Sequence, residues 1–402
     1  MRVSNAWGKS ILAGPLLALG VVGSAHAGFT VLHHFIGGSD GTNPRGALIQ
    51  DSAGNLYGTT AGDSNTVGGV FKLMPDGTLT VLHIFARKDE DGSDPEGGLV
   101  QDEAGNLYGT TYSGPLNVDG HGIVFEIAPE GSEKVLYTFT GGSDGGNPKA
   151  GLIIDKAGNL YGTTLYGGSH DRGTVFKLAR DGTETVLHAF HGGRDGADPY
   201  AGLIRDKNGS LYGTTLLGGG SDCANAQGCG TVFKIAPDGT ETVLHAFDGD
   251  DGACPYGGLV EDSAGNLYGT TTYQGRTDCA DGLGSGTVFK LAPDGTETVL
   301  HVFSGGRDGG NPYAGLTLDR RGNLYGTTSV GGGCWLNGGC GTVFQLARDG
   351  SETVLHAFLD GDDGRYPFAA LIKGRTGLLY GTASASGDCH NGTCGSVFAL
   401  GR

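Results

Sequence analysis

Three stretches of this chain gather carboxylates around a glycine: Asp89-Glu90-Asp91-Gly92-Ser93-Asp94, Asp248-Gly249-Asp250-Asp251 and Asp360-Gly361-Asp362-Asp363. Calcium takes six to eight oxygen ligands, so Asp89, Asp91, Asp94, Asp248, Asp250, Asp251, Asp360, Asp362 and Asp363 are candidate ligands for it. None of the three has EF-hand spacing, which needs a glutamate at the twelfth loop position. A plainer reading competes. Each stretch includes the aspartate of one Asp-Gly-x-x-Pro copy, which recurs as Asp40, Asp91, Asp144, Asp195, Asp251, Asp308 and Asp363. An aspartate in such a turn accepts backbone N–H bonds. Histidine also recurs, as His33, His83, His188, His245, His301 and His356, with Tyr137 in the remaining copy. A position open to His or Tyr suits a packed hydrogen-bond donor better than a metal ligand.

For catalysis the signals are sparse. There is no G-x-S-x-G elbow, no H-E-x-x-H and no P-loop. Glycoside cleavage needs two carboxylates about 5–10 Å apart in one pocket, and the acidic loops single out no such pair. Nothing calls for a redox cofactor, so calcium is the sole cofactor candidate.

The elements that must position these groups follow from a repeat. Gly54-Asn55-Leu56-Tyr57-Gly58-Thr59-Thr60 returns six times, and its tyrosine recurs as Tyr57, Tyr108, Tyr161, Tyr212, Tyr268, Tyr325 and Tyr380, at spacings of 51 to 57 residues. A self-similar period of this length marks a repeat architecture. Three further segments travel with it. They are typified by Gly202-Leu203-Ile204-Arg205-Asp206 (a), Thr174-Val175-Phe176-Lys177-Leu178 (c) and Thr185-Val186-Leu187-His188-Ala189-Phe190 (d), with the tyrosine segment as b. All four are short, rich in β-branched and aromatic residues, and bounded by Gly, Pro, Asp or Asn, so each reads as a strand.

Seven repeats of four strands predict an all-β, seven-bladed β-propeller with four antiparallel strands per blade. The last repeat stops at strand c, and the missing d strand, Thr30-Val31-Leu32-His33-His34-Phe35, stands at the other end. The N-terminal strand therefore completes blade seven and closes the ring. Connections a–b and c–d are tight Asp/Gly turns. The long b–c and d–a loops crowd the opposite face.

Residues 1–27 read as a secretory signal: Arg2 and Lys9 precede a short apolar run that ends at Ala25-His26-Ala27. Residues 28–402 are then one propeller domain, secreted or periplasmic, monomeric, and not inserted in a membrane once the signal is cut. The formal charge of −17 disfavours nucleic acid as a partner. Glycine is 81 of 402 residues, but its fixed places in the repeat assign it to turns rather than disorder.

All eight cysteines follow residue 220, and in an exported chain an even count favours disulfides. Cys223/Cys229, Cys334/Cys340 and Cys389/Cys394 are close pairs, while Cys254 and Cys279 fall in two loops of one blade on the same face. Zinc is disfavoured, since no pair has C-x-x-C spacing and no histidine cluster completes a ligand set.

The compound unit Asp-x-x-Gly-Asn-Leu-Tyr-Gly-Thr-Thr, Gly-Thr-Val-Phe-Lys-Leu and Asp-Gly-Thr-Glu-Thr-Val-Leu-His-x-Phe resembles the Gloeo/Verruco ("GloVer") tandem repeat over nearly all of residues 28–402. The resemblance implies export by a bacterium and a repeat fold. It brings no activity and no catalytic residues.

Residues present in every blade build the ring, so function is sought where the blades differ. After the loop proline, blades one to three carry Arg45, Glu96 and Lys149, whereas blades four to seven carry Tyr200, Tyr256, Tyr313 and Phe368. The four aromatics should form an arc around the channel mouth on the long-loop side, with Trp335 above it between Cys334 and Cys340. Drift within a duplicated half is the bland account of the same pattern. The expected function is a non-enzymatic propeller that binds a glycan, peptide or protein through Tyr200, Tyr256, Tyr313, Phe368 and Trp335. A carbohydrate-active hydrolase or lyase using loop carboxylates, and a structural envelope component, are the alternatives.

Overall fold

The structure is a computed structural model that describes residues 28–62, 67–86, 91–115, 120–220, 223, 227–274, 285–334, 338–359, 361–384 and 394–401. These residues form seven four-stranded antiparallel sheets, one per repeat, with a single 3₁₀ turn at Gly38–Asp40. Blade 3 is representative, with strand a at Ile153–Ile154, b at Leu160–Thr164, c at Thr174–Leu178 and d at Glu184–Ala189. Blade 7 is built from both ends of the chain, as Phe29–His34 pairs antiparallel with Gly395–Leu400. Strand a is shorter than its sequence suggests. Only two residues pair with strand b, because the preceding Gly and Ala positions pack against the neighbouring blades instead.

Each letter of the Leu-Tyr-Gly-Thr-Thr strand has its own task. Leu160 is buried beside Phe176. The Tyr161 hydroxyl donates to Asp155 Oδ2 at 3.0 Å, and Asp155 Oδ1 also accepts the backbone N–H groups of Ala157 and Asn159. The a–b turn and strand b are thus tied by one carboxylate, an Asx-type turn extended by a phenol. At Gly162 a methyl would lie 2.8 Å from both Leu152 and Phe176, so glycine makes room for the two core side chains that close over the strand. The Thr163 hydroxyl donates to the Ala201 carbonyl of the next blade at 3.0 Å. Thr164 turns inward to its own blade and pairs with Thr174 Oγ1 at 2.8 Å.

Three contacts knit the blades together. At every seam a strand-d phenylalanine meets the strand-c phenylalanine of the next blade edge to face, as in Phe85–Phe125 and Phe190–Phe233, both with centroids 5.1 Å apart. Such pairs contribute about 0.5–1.5 kcal/mol beyond the area they bury. The threonine-to-carbonyl bond repeats from Thr59 to Thr327. At the closing seam Thr382 has no such partner among the described residues, and Ser384 Oγ donates to the Pro44 carbonyl instead at 3.0 Å. Finally, the N–H of each residue before the loop proline donates to a carbonyl of the preceding blade, as Asn147 does to His121 and Cys254 to Cys229. These seven residues all have positive φ, between 51° and 60°. Asn or Asp tolerates that region, but Cys254 and Tyr366 also adopt it, at a cost.

The recurrent histidines and the Asp-Gly-x-x-Pro aspartates meet within each blade. His245 Nε2 lies 2.7 Å from Asp251, His356 lies 3.1 Å from Asp363, and the Tyr137 hydroxyl donates to Asp144 at 3.1 Å. The same aspartates accept the backbone N–H that follows strand d, as Asp91 does from Ala86 and Asp195 from His191. Both sets therefore build the d–a loop.

Candidate functional site

The loop prolines aim the next residue at the ring axis, because proline fixes φ and the positive-φ residue before it turns the chain inward. The residues that follow meet around the whole ring. Tyr200 and Tyr256 have centroids 5.0 Å apart, Tyr256 and Tyr313 5.0 Å, and Tyr313 and Phe368 5.4 Å. Beyond Phe368 the Arg45 guanidinium stands over its ring at 5.9 Å. Arg45 also lies 3.5 Å from Glu96, which holds Lys149 at 2.8 Å. Lys149 in turn faces the Tyr200 ring at 5.4 Å and the Tyr112 ring at 4.3 Å. Seven side chains, one per blade, thus make an unbroken circuit at the channel mouth. Four are aromatic and three are charged.

The aromatic half carries hydroxyls in two states. Tyr313 and Tyr273 hydroxyls bond each other at 2.9 Å. Those of Tyr200 and Tyr256 have no hydrogen-bond partner among the described residues. Burial pushes the Tyr256 phenol up to about 12, with help from Tyr273, and raises Tyr200 further against the pull of Arg45. Both stay protonated and can donate. Tyr366, in the left-handed region, lies nearly parallel to Phe368 at 6.2 Å and carries the Arg365 guanidinium over its ring at 5.4 Å.

Asp198 sits just behind Tyr200. Where blades 3 and 6 have asparagine, the amides of Asn147 and Asn311 donate to Tyr112 and Thr272 carbonyls of the preceding blade. The equivalent carbonyl for Asp198 is that of Leu165, to which an ionised carboxylate cannot donate. Asp198 Oδ1 is buried without a partner, and burial pushes the carboxyl up to about 6 despite the opposite pull of Arg172. Sequence reasoning passed over Asp198 and Tyr366, and it set Arg45, Glu96 and Lys149 apart from the aromatics without placing them in the site. The available signal was the alternation of Asn and Asp before the loop proline, where Asp94 and Asp198 stand in place of Asn43, Asn147 and Asn311.

The calcium candidates are dispersed. Asp91, Asp251 and Asp363 serve the d–a turns, Asp94 accepts from Ser93 Oγ at 2.9 Å, Asp248 Oδ1 accepts the Asp250 N–H, and Asp362 is exposed. Asp89 and Asp360 lie outside the described residues, as do Trp335, Cys279, Cys389 and residues 1–27. Among the described residues one group of three metal-ligating types converges, His83, Asp91 and Glu133, at the seam between blades 1 and 2. At two later seams the matching glutamates, Glu184 and Glu241, are pushed to about 7 by burial and then by the facing Asp144 and Asp195. Disulfides join Cys223 to Cys229 and Cys334 to Cys340, and Cys254 and Cys394 are also disulfide-bonded. On the short-turn face a cleft of about 820 Å³ opens between blades 2 and 3, where Tyr108, Glu126, Lys134, Lys156 and Arg180 mix both signs of charge. No helix among the described residues is long and apolar enough to cross a membrane.

Comparison with solved structures returns propellers. The extracellular domain of BT4673 from B. thetaiotaomicron, described as a one component system, superposes with a TM-score of 0.59 at 12% identity, covering 94% of this chain and 40% of that one. The extracellular domain of BT3049 from the same organism, described as a hybrid two component system, gives 0.56 at 12% identity, covering 92% and 41%. A fungal alcohol oxidase of the AA5 family, in complex with copper, gives 0.55 at 14% identity, covering 89% and 74%. The chain therefore spans about two-fifths of the length of the first two, and identities this low speak for the fold alone. No sequence match is found among curated proteins. The profile of the Gloeobacter/Verrucomicrobia repeat matches residues 17–155 and 117–333. The chain belongs to the Gloeobacter/Verrucomicrobia repeat family.

Proposed function

We propose that this chain is an exported, non-enzymatic binding protein that takes a glycan at the channel mouth on its long-loop face. The observation that carries this reading is the unbroken arc of Tyr200, Tyr256, Tyr313 and Phe368. Seven side chains linked at 2.8 to 5.9 Å enclose a narrow mouth, which suits a chain end or one sugar ring rather than a folded protein. Aromatic rings already packed against one another lose little conformational freedom on binding. Sugar C–H faces stack on them, and the free hydroxyls of Tyr200 and Tyr256 supply hydrogen bonds. The extracellular setting of two propellers of similar fold, the disulfides, and the basic-apolar start of the chain support export. The short-turn cleft is less suited to sugars, since its walls carry more charge than aromatic surface.

Asp198 favours a second reading, a carbohydrate-active enzyme. A carboxyl with its pKa near 6 beside an aromatic mouth has the proton affinity of a general acid. A glycan array followed by calorimetry on the best binder tests the first reading. Tyr313→Ala should abolish detectable binding, Trp335→Ala should weaken it, and circular dichroism should show the fold intact. Normal binding by both variants places the site elsewhere, and cleavage products in the calorimeter cell favour the enzyme.

A further inference from the structure

The mouth is chemically lopsided, and the charged half is not neutral. Lys149 is spent within the protein: its ammonium is 2.8 Å from Glu96, lies over Tyr112, and is 16% exposed. Arg45 differs. Its side chain is 42% exposed, and its contact with Glu96 is at 3.5 Å, too long for the bidentate clasp that arginine makes when fully engaged. Two cations and one carboxylate leave the circuit with one positive charge, in a chain whose formal charge is −17. Asp198 stands behind the arc with Arg172 as its neighbour of opposite sign, and Arg365 is buried against Tyr366. Among the described residues, the cation left facing solvent at the mouth is Arg45, whose guanidinium lies over the Phe368 ring.

We infer that the ligand is an acidic glycan whose carboxylate is taken by Arg45 while its sugar ring lies against Phe368 and Tyr313. The inference rests on the mouth being the ligand site. A guanidinium lying over an aromatic ring at 5.9 Å, and only loosely engaged by Glu96, has N–H groups to offer a planar carboxylate. The neighbouring aromatic surface then meets the C–H face of the same residue, which a uronic acid presents together with its carboxylate. The Tyr200 and Tyr256 hydroxyls, across the opening, meet the sugar hydroxyls. A neutral glycan would leave Arg45 without a partner from the ligand. A sulfated glycan would offer an anion of different shape, which suits the single planar fork less well.

The test uses calorimetry on the mature chain with an oligogalacturonate, the same oligomer methyl-esterified, and an acidic peptide of equal charge. The wild type should bind the acid at least about tenfold tighter than the ester, as expected for a charge-assisted bond, and added salt should weaken only the acid. Arg45→Gln should erase the difference between acid and ester, and Tyr313→Ala should remove binding of both. Equal affinity for acid and ester, or an Arg45→Gln variant that keeps the preference, overturns the charge inference while leaving the mouth as the site. Unchanged binding by Tyr313→Ala overturns the mouth itself. Binding of the peptide with none of the oligogalacturonate overturns the glycan class.

Discussion

Replacing Asp198 with asparagine should stabilise the ring at neutral pH and leave it unchanged in acid. Asn147 and Asn311 show one bond this position can make, an amide donating to a carbonyl of the preceding blade. A protonated Asp198 can donate in the same way, but an ionised one cannot. Burial lifts its pKa from 3.8 to about 6. In the folded state the proton is therefore held more tightly than in the unfolded chain. Stability is then complete below about pH 4 and falls as pH rises towards 6. Two pH units amount to about 3 kcal/mol, and halving this for solvent screening of a partly exposed group leaves about 1.5 kcal/mol. For a ring of this size Tm moves by no more than about 2 °C per kcal/mol, so Asp198→Asn should raise it near pH 8 by up to about 3 °C. Near pH 4 the two proteins should melt together. Other titrating groups, Glu184 and Glu241 among them, cancel in the difference. Thermal unfolding followed by circular dichroism at the two pH values reads the effect. An equal gain at both, or a loss near pH 8, would show that the carboxylate has a partner or that the loop relaxes around it.

Two further expectations concern the ring itself. Deleting residues 28–35 removes the outer strand of blade 7 and the Phe29 ring that stacks on His356 at 3.7 Å, leaving the Gly395–Leu400 edge unpaired; aggregation on gel filtration should follow, and a monomer with unchanged Tm would refute closure by this strand. Gly151→Ala sets a methyl 2.7 Å from the Gly98 carbonyl of the neighbouring blade and should cost about 1–3 kcal/mol, whereas Gly258→Ala, with 3.5 Å to the Gly202 carbonyl, should be neutral or slightly stabilising in urea titration.

The ring was legible in the sequence because its signals repeat. Tyr57 and its six counterparts set the blade count, and the strand displaced to residues 30–35 set the closure. The exchange of Tyr137 for histidine pointed to a hydrogen bond, though the acceptor, an aspartate of the following loop, needed the fold. Strand a proved shorter than its pattern because Gly151 and its counterparts serve inter-blade packing, which no single-repeat pattern encodes. At the mouth, the aromatic set stood out by contrast with Arg45, Glu96 and Lys149. That all seven touch could not be read, since it depends on how closely the glycine-rich inner strands approach. Asp198 escaped notice for a related reason. Its oddity shows only once the bonds of Asn147 and Asn311 are known.

The pairing of Phe29–His34 with Gly395–Leu400 also governs when the molecule can be finished. A chain made from its N-terminus delivers the first strand before its partner exists. Until the last strand arrives, blade 1 has no complete neighbour on one side, and the strand that carries Phe35 to Phe71 has nothing to pair with. Joining strands so far apart in sequence carries the largest loop-closure cost in the chain, so this step should come late and slowly. During that interval the opening strand is a ready edge for other chains. Yield in the cell should therefore depend on how well this strand is shielded before its partner arrives, as much as on the stability of the closed ring.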